Sequence, residues 1–279
     1  MESNRLHHLL QFLKKPRAAF GVTVLSMLTL LRVYALLFPY DPVAAVDLDR
    51  ALVGPSAAHW LGTDQVGRDL LTRIVHGTEA FYGPGLLACL VAALIGTIGG
   101  GLSGYFGGIF AACFRYLTAV LTSLPRFILI LLVCSIYDGG VYLLALLTGL
   151  VYMPQIAETV YRKVLAFRAT EFIEAAQAHG LSDARILFYH ILYLNCMPPV
   201  LKHMLYLFGY VILIETSLSY LGGFGVQEPA PSWGNMLAQA REYLFQGQIL
   251  FLTVPAIAIS VTILGLVALG DAINEQGEK

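Results

Sequence analysis

Charged side chains are scarce in this sequence. Asp, Glu, Lys and Arg make up only 13% of the 279 residues, whereas hydrophobic residues make up 57%. A soluble domain carries roughly 25% charged residues, so this composition cannot cover a water-exposed surface. The formal net charge of -1 also argues against a nucleic-acid partner, which needs a basic surface. The sequence therefore predicts an all-α integral membrane protein.

Motifs that would give the chain a chemistry of its own are also missing. No G-x-x-x-x-G-K-[ST] phosphate loop occurs, so ATP cannot be bound in that way. Neither G-x-S-x-G nor H-E-x-x-H is present, and no His or Cys residues have metal-site spacing. The cysteines form no C-x-x-C pair and are interpreted as small buried hydrophobic residues: Cys89, Cys113, Cys134 and Cys196. We therefore predict no catalytic residue, metal or cofactor on this chain.

Long hydrophobic runs are what the sequence does contain. A spanning helix needs about 20 apolar residues, and about six such runs fit. The first covers residues 18–38 after a basic tail, 1–17, and is too long for the hydrophobic part of a signal peptide. The others are residues 81–105, 111–135, 141–157, 199–221 and 248–270. We therefore predict about six transmembrane helices.

The polar segments complete the predicted organisation. Residues 39–80 are expected to contain a short helix over 64–75 on the membrane surface, because their apolar residues have helical spacing. Residues 81–271 form the predicted membrane core. The core includes a polar central loop, 158–198, and a short tail, 272–279, follows it.

Positive charges set the predicted orientation. Lys and Arg are concentrated in the tail 1–17 and in the central loop 158–198. Cytoplasmic segments of membrane proteins carry such an excess. We therefore expect both termini and the central loop on the cytoplasmic side, and residues 39–80 outside.

Small residues recur every four positions in the second run: Ala88, Ala92, Gly96, Gly100, Gly104 and Gly108. This spacing lets two helix backbones approach closely in lipid. Simple helix packing is the first interpretation, and a moving interface between helices is the alternative.

The central loop is predicted to hold a short helix, a glycine turn and a second helix. Thr170 is placed to cap the first helix, which begins at Glu171 and ends before Gly180. Ser182 is placed to cap the second helix, with Asp183 in its first turn.

Two further features of this loop bear on its role. Pro198 and Pro199 are expected to end the second helix and to start the next span. Ala175 and Ala176 leave one side of the first helix thin, so that another protein's groove could close around it. A loop that merely joins two spans is the alternative.

Ionisable residues near or within the predicted spans are functional candidates. They are Arg32, Arg115, Arg126, His203, Glu215 and Asp271. Most are expected near span ends, where pairing or snorkelling suffices. Glu215 is taken as the deepest, and it either lines a path through the membrane or holds helices together.

Two outer segments have distinctive residues. Thr63 or Asp64 is expected to cap the surface helix, while Arg68 and Asp69 pair with neighbours. Trp233 begins a second amphipathic segment, which is expected to lie flat with this indole at headgroup level. For the first segment, the preferred role is structural, as a cap and brace of the surface helix. For the second segment, docking of another protein is the alternative to lying on the membrane surface.

Several motifs resemble one transporter family. Glu174-Ala175-Ala176 followed by Gly180 and Ile191-Leu192 resembles the EAA signature of permeases from binding-protein-dependent ABC importers. The segment 59–69, which contains Gly62, Asp64, Arg68 and Asp69, resembles the GTD-x-x-GRD segment of the second permease subunit in the peptide/nickel branch. Residues 215–222, 231–237 and 269–271 resemble later segments of that branch.

The resemblance covers residues 40–271 with three departures. Tyr193 replaces the proline that usually ends the EAA signature, so the second helix is expected to bend differently. The glycine turn at 222–225 is one residue longer than usual. The tail after Asp271 is short and lacks the Asp-Pro-Arg ending often seen.

The resemblance implies a type I ABC importer permease in a bacterial cytoplasmic membrane, translocating di- or oligopeptides by alternating access. A nickel or metal-chelate importer is the alternative, and a secondary transporter is less favoured because no inverted repeat is seen. The implied partners are a related second permease subunit, two ATPase subunits that hold ATP and Mg²⁺, an extracytoplasmic solute-binding protein and membrane lipid. The implied ATPase-coupling residues are Glu171, Glu174, Ala175, Ala176, Gly180 and Asp183. The outer structural or docking residues are Gly62, Asp64, Arg68, Asp69 and Trp233.

Overall fold

The computed structural model describes residues 11–137, 140–222, 224–243 and 249–277, apart from the side chains of Phe172 and Tyr243. Its helices are α1 Pro16–Leu37, α2 Leu70–His76, α3 Glu79–Phe106, α4 Gly108–Ser123, α5 Arg126–Ile136, α6 Gly140–Arg168, α7 Glu171–Ala178, α8 Asp183–Arg185, α9 Met197–Leu221, α10 Trp233–Tyr243 and α11 Leu250–Gly277. A π-helical segment, Ile186–Cys196, joins α8 to α9, and a short 3₁₀ turn covers Leu48–Arg50.

The membrane-spanning elements follow from length and composition. Five helical segments are long and apolar enough to cross a bilayer: Pro16–Leu37, Leu70–Phe106, Gly140–Arg168, Asp183–Leu221 and Leu250–Gly277. The pair α4 and α5 makes a sixth span if its two halves are counted together. The predicted fold class, an all-α membrane protein with about six spans, is confirmed.

The third predicted run, 111–135, is not one straight helix. α4 and α5 are bent by 85° at the break between them. Pro125 has no N–H to donate and excludes helical backbone angles from the residue before it. Leu124 is accordingly extended, with φ -98° and ψ 144°. The predicted run is therefore divided into two helices in the structure.

The small-residue stripe packs α3 against α6. A Cβ added to Gly96 would lie 2.9 Å from Ile156 Cβ, and one added to Gly104 would lie 2.9 Å from Tyr161 O. A Cβ on Gly100 would collide with the carbonyl oxygen of Ala157. Close packing is confirmed for these glycines, because no larger residue fits this helix pair. Gly108 does not belong to the stripe, since it starts α4 and faces open space.

Contacts between distant residues define the two ends of the bundle. Arg17 Nη1 lies 3.1 Å from Glu275 Oε1, which puts the start of α1 beside the end of α11. Tyr105, near the end of α3, hydrogen bonds to Asp183 of α8. We call this end, with α7 and α8, the loop end. The opposite end, with residues 39–69 and 226–243, is the cap end.

Two predicted helix boundaries differ from the structure. The surface helix begins at Leu70 and not at residue 64, because the chain turns through Gly67 at φ +82° first. The second loop helix does not end at Pro198 and Pro199. It runs through the π-helical segment into α9, where these prolines occupy the first turn and need no N–H donor.

The cysteines are less uniformly buried than expected. Cys89 and Cys196 are buried, Cys134 is half-buried and Cys113 is exposed. The interpretation as small buried hydrophobic residues is wrong for Cys113, which lies on the outward face of α4.

Candidate functional site

The helix α7 at the loop end has one docked face and one free face. Ile173 and Ala176 are buried against the bundle, at 4% and 8% exposure. Glu171, Glu174 and Ala175 are exposed. The helix α7 therefore packs on the bundle through one face and presents the carboxylates of Glu171 and Glu174 on the other.

Gly180 ends α7 in the way that the sequence predicts. Its φ is +80°, a left-handed conformation that only glycine adopts without strain. The N–H of Leu181 donates to Ala176 O at 3.1 Å and the N–H of Gly180 to Gln177 O at 2.9 Å. These two bonds form a Schellman motif, which fixes the direction in which the chain leaves α7.

The caps of the two loop helices differ. The hydroxyl of Ser182 accepts a 3.4 Å hydrogen bond from the N–H of Arg185, as predicted. Thr170 occupies the N-cap position of α7, but its hydroxyl donates to Phe167 O at 2.6 Å. The predicted side-chain cap by Thr170 is therefore wrong, because its hydroxyl turns back to α6.

Asp183 connects the loop helices to the bundle. Its Oδ1 accepts hydrogen bonds from the hydroxyl of Tyr105 at 2.7 Å and from Nε2 of Gln177 at 3.1 Å. One carboxylate oxygen thus joins α3, α7 and α8. A displacement of α7 would be passed through this contact to the end of α3.

The cap end contains a cluster of four charges, which we call the charge quartet: the buried Asp64, Arg68 and Arg73 and the exposed Glu228. Asp64 Oδ2 accepts from Arg68 Nε at 2.7 Å and from Arg73 Nη1. The carboxylate of Glu228 accepts hydrogen bonds from Arg68 Nη1 at 2.9 Å and from Arg73 Nη2 at 2.7 Å. Two positive and two negative groups balance, and they join the segment before α2 to the loop before α10.

Ionisation of Asp64 is favoured by its surroundings. Burial opposes the charged form, but the N–H of Arg68 and the guanidinium groups of Arg73 and Arg68 outweigh it and lower the pKa of Asp64. Burial also opposes the charge of Arg68, and Asp64 and Glu228 outweigh that effect and raise its pKa. The pKa values of Asp64 and Arg68 therefore both shift toward the charged forms.

Asp69, not Thr63 or Asp64, caps the helix α2. Its Oδ2 accepts from the N–H and from the hydroxyl of Thr72, both at 2.8 Å. Its Oδ1 lies 3.0 Å from His59 Nδ1. Gly62 has φ +86°, and a Cβ there would lie 2.6 Å from Val53 O. The expected cap by Thr63 or Asp64 is wrong because both are used in the turn before the helix.

Trp233 is buried and does not lie at headgroup level. Its side chain is 1% exposed, its Nε1 donates to Ile74 O at 2.9 Å, and its ring centre lies 4.7 Å from that of Phe81. Ser232 and Asn235 cap α10 reciprocally, each side chain accepting from the other's N–H at 3.0 Å. This cap turns the indole inward, so the expected interfacial position is wrong.

Glu215 lies under the cap-end loop, less than two turns before α9 ends at Leu221. It is 0% exposed, and its Oε1 accepts from the hydroxyl of Ser219 at 2.6 Å. That hydroxyl in turn accepts from the N–H of Val226 at 3.0 Å. Among the described residues Oε2 has no hydrogen-bond partner. The arrangement ties α9 to the loop and leaves Glu215 closed off from the surface of the chain.

Arg126 is half-buried and contacts the middle of α6. Its Cζ lies 4.6 Å from the ring centre of Tyr152. With the amide of Gln155 in the orientation that satisfies its hydrogen bonds, the two terminal nitrogens of Arg126 donate to the amide oxygen at 2.7 and 3.2 Å. Tyr152 and Gln155 flank Pro154, the middle residue of the 29-residue helix α6. The signal in the sequence was Pro125, which breaks the span beside this arginine.

Comparison with known proteins gives the family. The model of the "Binding-protein-dependent transport system inner membrane component" family matches residues 96–276. The chain belongs to this family. It is thus a multi-pass membrane permease subunit of a binding-protein-dependent ABC transporter, a class that works with ATPase and substrate-binding partners.

Three relatives resemble this permease over most of their length. The dipeptide transport system permease protein DppC of Alkalihalophilus pseudofirmus is 31% identical over 95% of this chain and 86% of its own. The glutathione transport system permease protein GsiD of Pectobacterium atrosepticum is 33% identical over 92% and 84%. The probable D,D-dipeptide transport system permease protein DdpC of Escherichia coli is 31% identical over 91% and 84%. The resemblance to peptide permeases inferred from the motifs is confirmed.

Proposed function

We propose that this permease carries di- or oligopeptides into a bacterial cell by alternating access. The relatives described above are named for dipeptide, glutathione and D,D-dipeptide transport, and each of these solutes is a small peptide. A nickel or metal-chelate importer, the alternative raised by the sequence, receives no support from those names.

The observation that carries the mechanism is the free face of α7. Its exposed Glu171, Glu174 and Ala175 are available to an ATPase subunit, while Ile173 and Ala176 anchor the helix to the bundle. Insertion into a groove of the ATPase would place the loop end, with both termini, in the cytoplasm. ATP and Mg²⁺ would bind on the two ATPase subunits and not on this chain.

The movement of α7 would reach the spans by two routes. Gly180 and the Schellman motif hold α7 at a fixed angle to α8, and α8 continues without a break into α9. Asp183 holds the end of α3 through Tyr105. Closure of the ATPases on ATP would favour one arrangement of the spans, because the ATPases would bind that arrangement more tightly.

The cap end would receive the solute-binding protein. The charge quartet, the Asp69 cap and the buried Trp233 brace the segments 39–69 and 226–243 against each other. Glu215 would hold α9 to the same platform and would not line the path. A related second permease subunit would complete the path, and lipid would surround both.

Reconstitution tests this function. The complete complex is placed in proteoliposomes with its binding protein, and ATP-dependent accumulation of a radiolabelled dipeptide is compared with that of radiolabelled Ni²⁺. We expect accumulation of the dipeptide only. Accumulation of Ni²⁺ alone would favour the alternative importer, and uptake that persists with inactivated ATPases would point to a secondary transporter.

A further inference from the structure

Arg126 lies at mid-height in the helix bundle. It begins α5, directly after the break that interrupts the span. The residues that it contacts, Tyr152 and Gln155, are at the middle of α6. The ring of Tyr152 lies 5.0 Å from that of Tyr210, which follows the middle residue of the 25-residue helix α9.

The positive charge of Arg126 is not neutralised by the described part of the chain. None of the salt bridges between described residues includes it. Its partners are a phenol ring and a neutral amide. Two other cations of the bundle do have carboxylate partners: Lys202 lies 3.0 Å from Asp271 and Arg32 lies 3.6 Å from Glu79. An arginine within a bilayer is costly unless it pairs or faces a water-filled path, so this guanidinium can accept an anion that the described residues do not supply.

We propose that Arg126 binds the C-terminal carboxylate of the peptide as it passes the middle of the membrane, an inference that rests on the proposed peptide transport. A guanidinium offers five N–H donors in a planar fork that matches a carboxylate. Stacking on Tyr152 fixes the plane of this fork. Gln155 uses one N–H from each terminal nitrogen and Tyr152 a further donor, which leaves part of the fork for a carboxylate.

The neighbouring groups suit a peptide. Tyr210 is 39% exposed and adds an aromatic face next to Tyr152, the ring over which the guanidinium lies. Every linear peptide carries a carboxylate at its C-terminus whatever its side chains are, so a contact to that group accepts many sequences. The positive charge of Arg126 would repel a metal cation at the same place. The site would therefore favour a peptide carboxylate over free Ni²⁺.

The test compares a dipeptide with its C-terminal amide in the complete reconstituted complex. Binding-protein loading is measured separately and is made equal for the two solutes, so that differences in uptake belong to the membrane subunits. We expect the wild-type complex to move the free acid about tenfold faster than the amide, the size of one charge-assisted contact. Arg126→Gln should bring uptake of the acid down to that of the amide.

Arg115→Gln is the matched control. Arg115 also lies over a tyrosine ring, 5.0 Å from the centre of Tyr161, but toward the loop end. We expect its neutral variant to keep the preference for the free acid. Arg126→Lys keeps the charge without the planar fork and should retain a reduced preference. This second variant decides the question if the Arg126→Gln chain does not fold.

Several results would overturn the inference and leave peptide transport intact. They are equal uptake of acid and amide by the wild type, an unchanged preference in Arg126→Gln, or equal uptake of both solutes by Arg126→Lys. Equal loss of both solutes in Arg126→Gln, with release of the second permease subunit, would show that a carboxylate of that subunit is the partner instead. No ATP-dependent uptake of any peptide by the wild type would overturn the proposed function itself.

Discussion

The indole of Trp233 donates a 2.9 Å hydrogen bond to the carbonyl oxygen of Ile74, which is 159 residues earlier in the chain. The bond joins the start of α10 to α2 at the cap end. The carbonyl lies near the end of α2, where the last helical carbonyls have no partner within the helix.

Trp233→Phe should therefore destabilise the permease. Phenylalanine keeps much of the packing against Phe81 but leaves the carbonyl of Ile74 without its donor. An unsatisfied buried group costs about 1–3 kcal/mol. Thermal unfolding in detergent, followed by size-exclusion chromatography, should show a lower midpoint. Trp60→Phe is the control, since Trp60 is 72% exposed, and an equal loss in both variants would contradict the role of this bond.

The charge quartet should make cap-end stability fall on acidification. The folded-state pKa of Asp64 lies below its ordinary value of 3.8, so its contribution is fully present above that value. It is lost as the pH falls through the lower folded-state pKa. Asp64→Asn should be less stable at pH 7 and should lose this acid-dependent component. Unfolding midpoints are measured from pH 7 down to pH 3.

The control for this prediction is Asp49→Asn, which removes an exposed carboxylate of the same segment. It should keep both the wild-type stability at pH 7 and its acid dependence. Identical pH profiles for Asp64→Asn and the wild type would show that the quartet does not stabilise the ionised carboxylate.

Gly100→Ala should weaken the packing of α3 on α6. The added methyl collides with Ala157 O, and forcing extra atoms into a packed site costs typically 1–3 kcal/mol. Gly83→Ala on the same helix is the matched control, because its Cβ would meet only Tyr142 Oη at 3.6 Å. Yield and unfolding midpoint are compared, and Gly100→Leu should fail to assemble. Equal behaviour of the two alanine variants would mean that the helices do not meet at Gly100.

Tyr105→Phe should reduce coupling with little effect on stability. It removes the hydroxyl that donates to Asp183 at 2.7 Å, a bond worth about 0.5–1.5 kcal/mol. We expect less stimulation of ATPase activity by loaded binding protein in the reconstituted complex. Tyr116→Phe, at an exposed tyrosine of α4, should change nothing. Wild-type stimulation of ATPase activity in Tyr105→Phe would show that the movement of α7 does not reach the spans through α3.

Local patterns were enough to predict the spans and the end of α7. Hydrophobic runs of spanning length mark a membrane helix because the bilayer thickness is fixed. Gly180 marks the end of α7 because its left-handed conformation is a local requirement. The close packing at Gly96, Gly100 and Gly104 is likewise visible in their spacing, since a shared helix face follows from the helical period.

The sequence predictions are wrong where residues far apart in the chain come into contact. Helical spacing shows that α10 has an apolar face, but not that Trp233 turns this face onto α2 and α3 instead of the membrane surface. The pairing of Arg73 with Glu228 crosses 155 residues and leaves no local pattern. The position of Arg126 was predictable from the sequence, because Pro125 indicates a helix break. That break brings Arg126 to the middle of α6.

Glu174→Lys tests whether α7 couples this permease to an ATPase. The variant reverses an exposed charge on the free face of α7 and disturbs no buried contact. The measurement is ATPase activity of the reconstituted complex with and without loaded binding protein, with peptide uptake in the same vesicles. Glu275→Lys is the control, because this exposed carboxylate lies at the loop end on α11.

We expect Glu174→Lys to lower stimulated ATPase activity and uptake together, by roughly tenfold for one lost charge-assisted contact. Gly180→Val should act in the same direction, because valine is strained at φ +80°. Binding of peptide to the soluble binding protein should be unchanged, as should the activity of Glu275→Lys. Wild-type stimulation and uptake in both Glu174→Lys and Gly180→Val would contradict this coupling and leave the central loop as a connector between two spans.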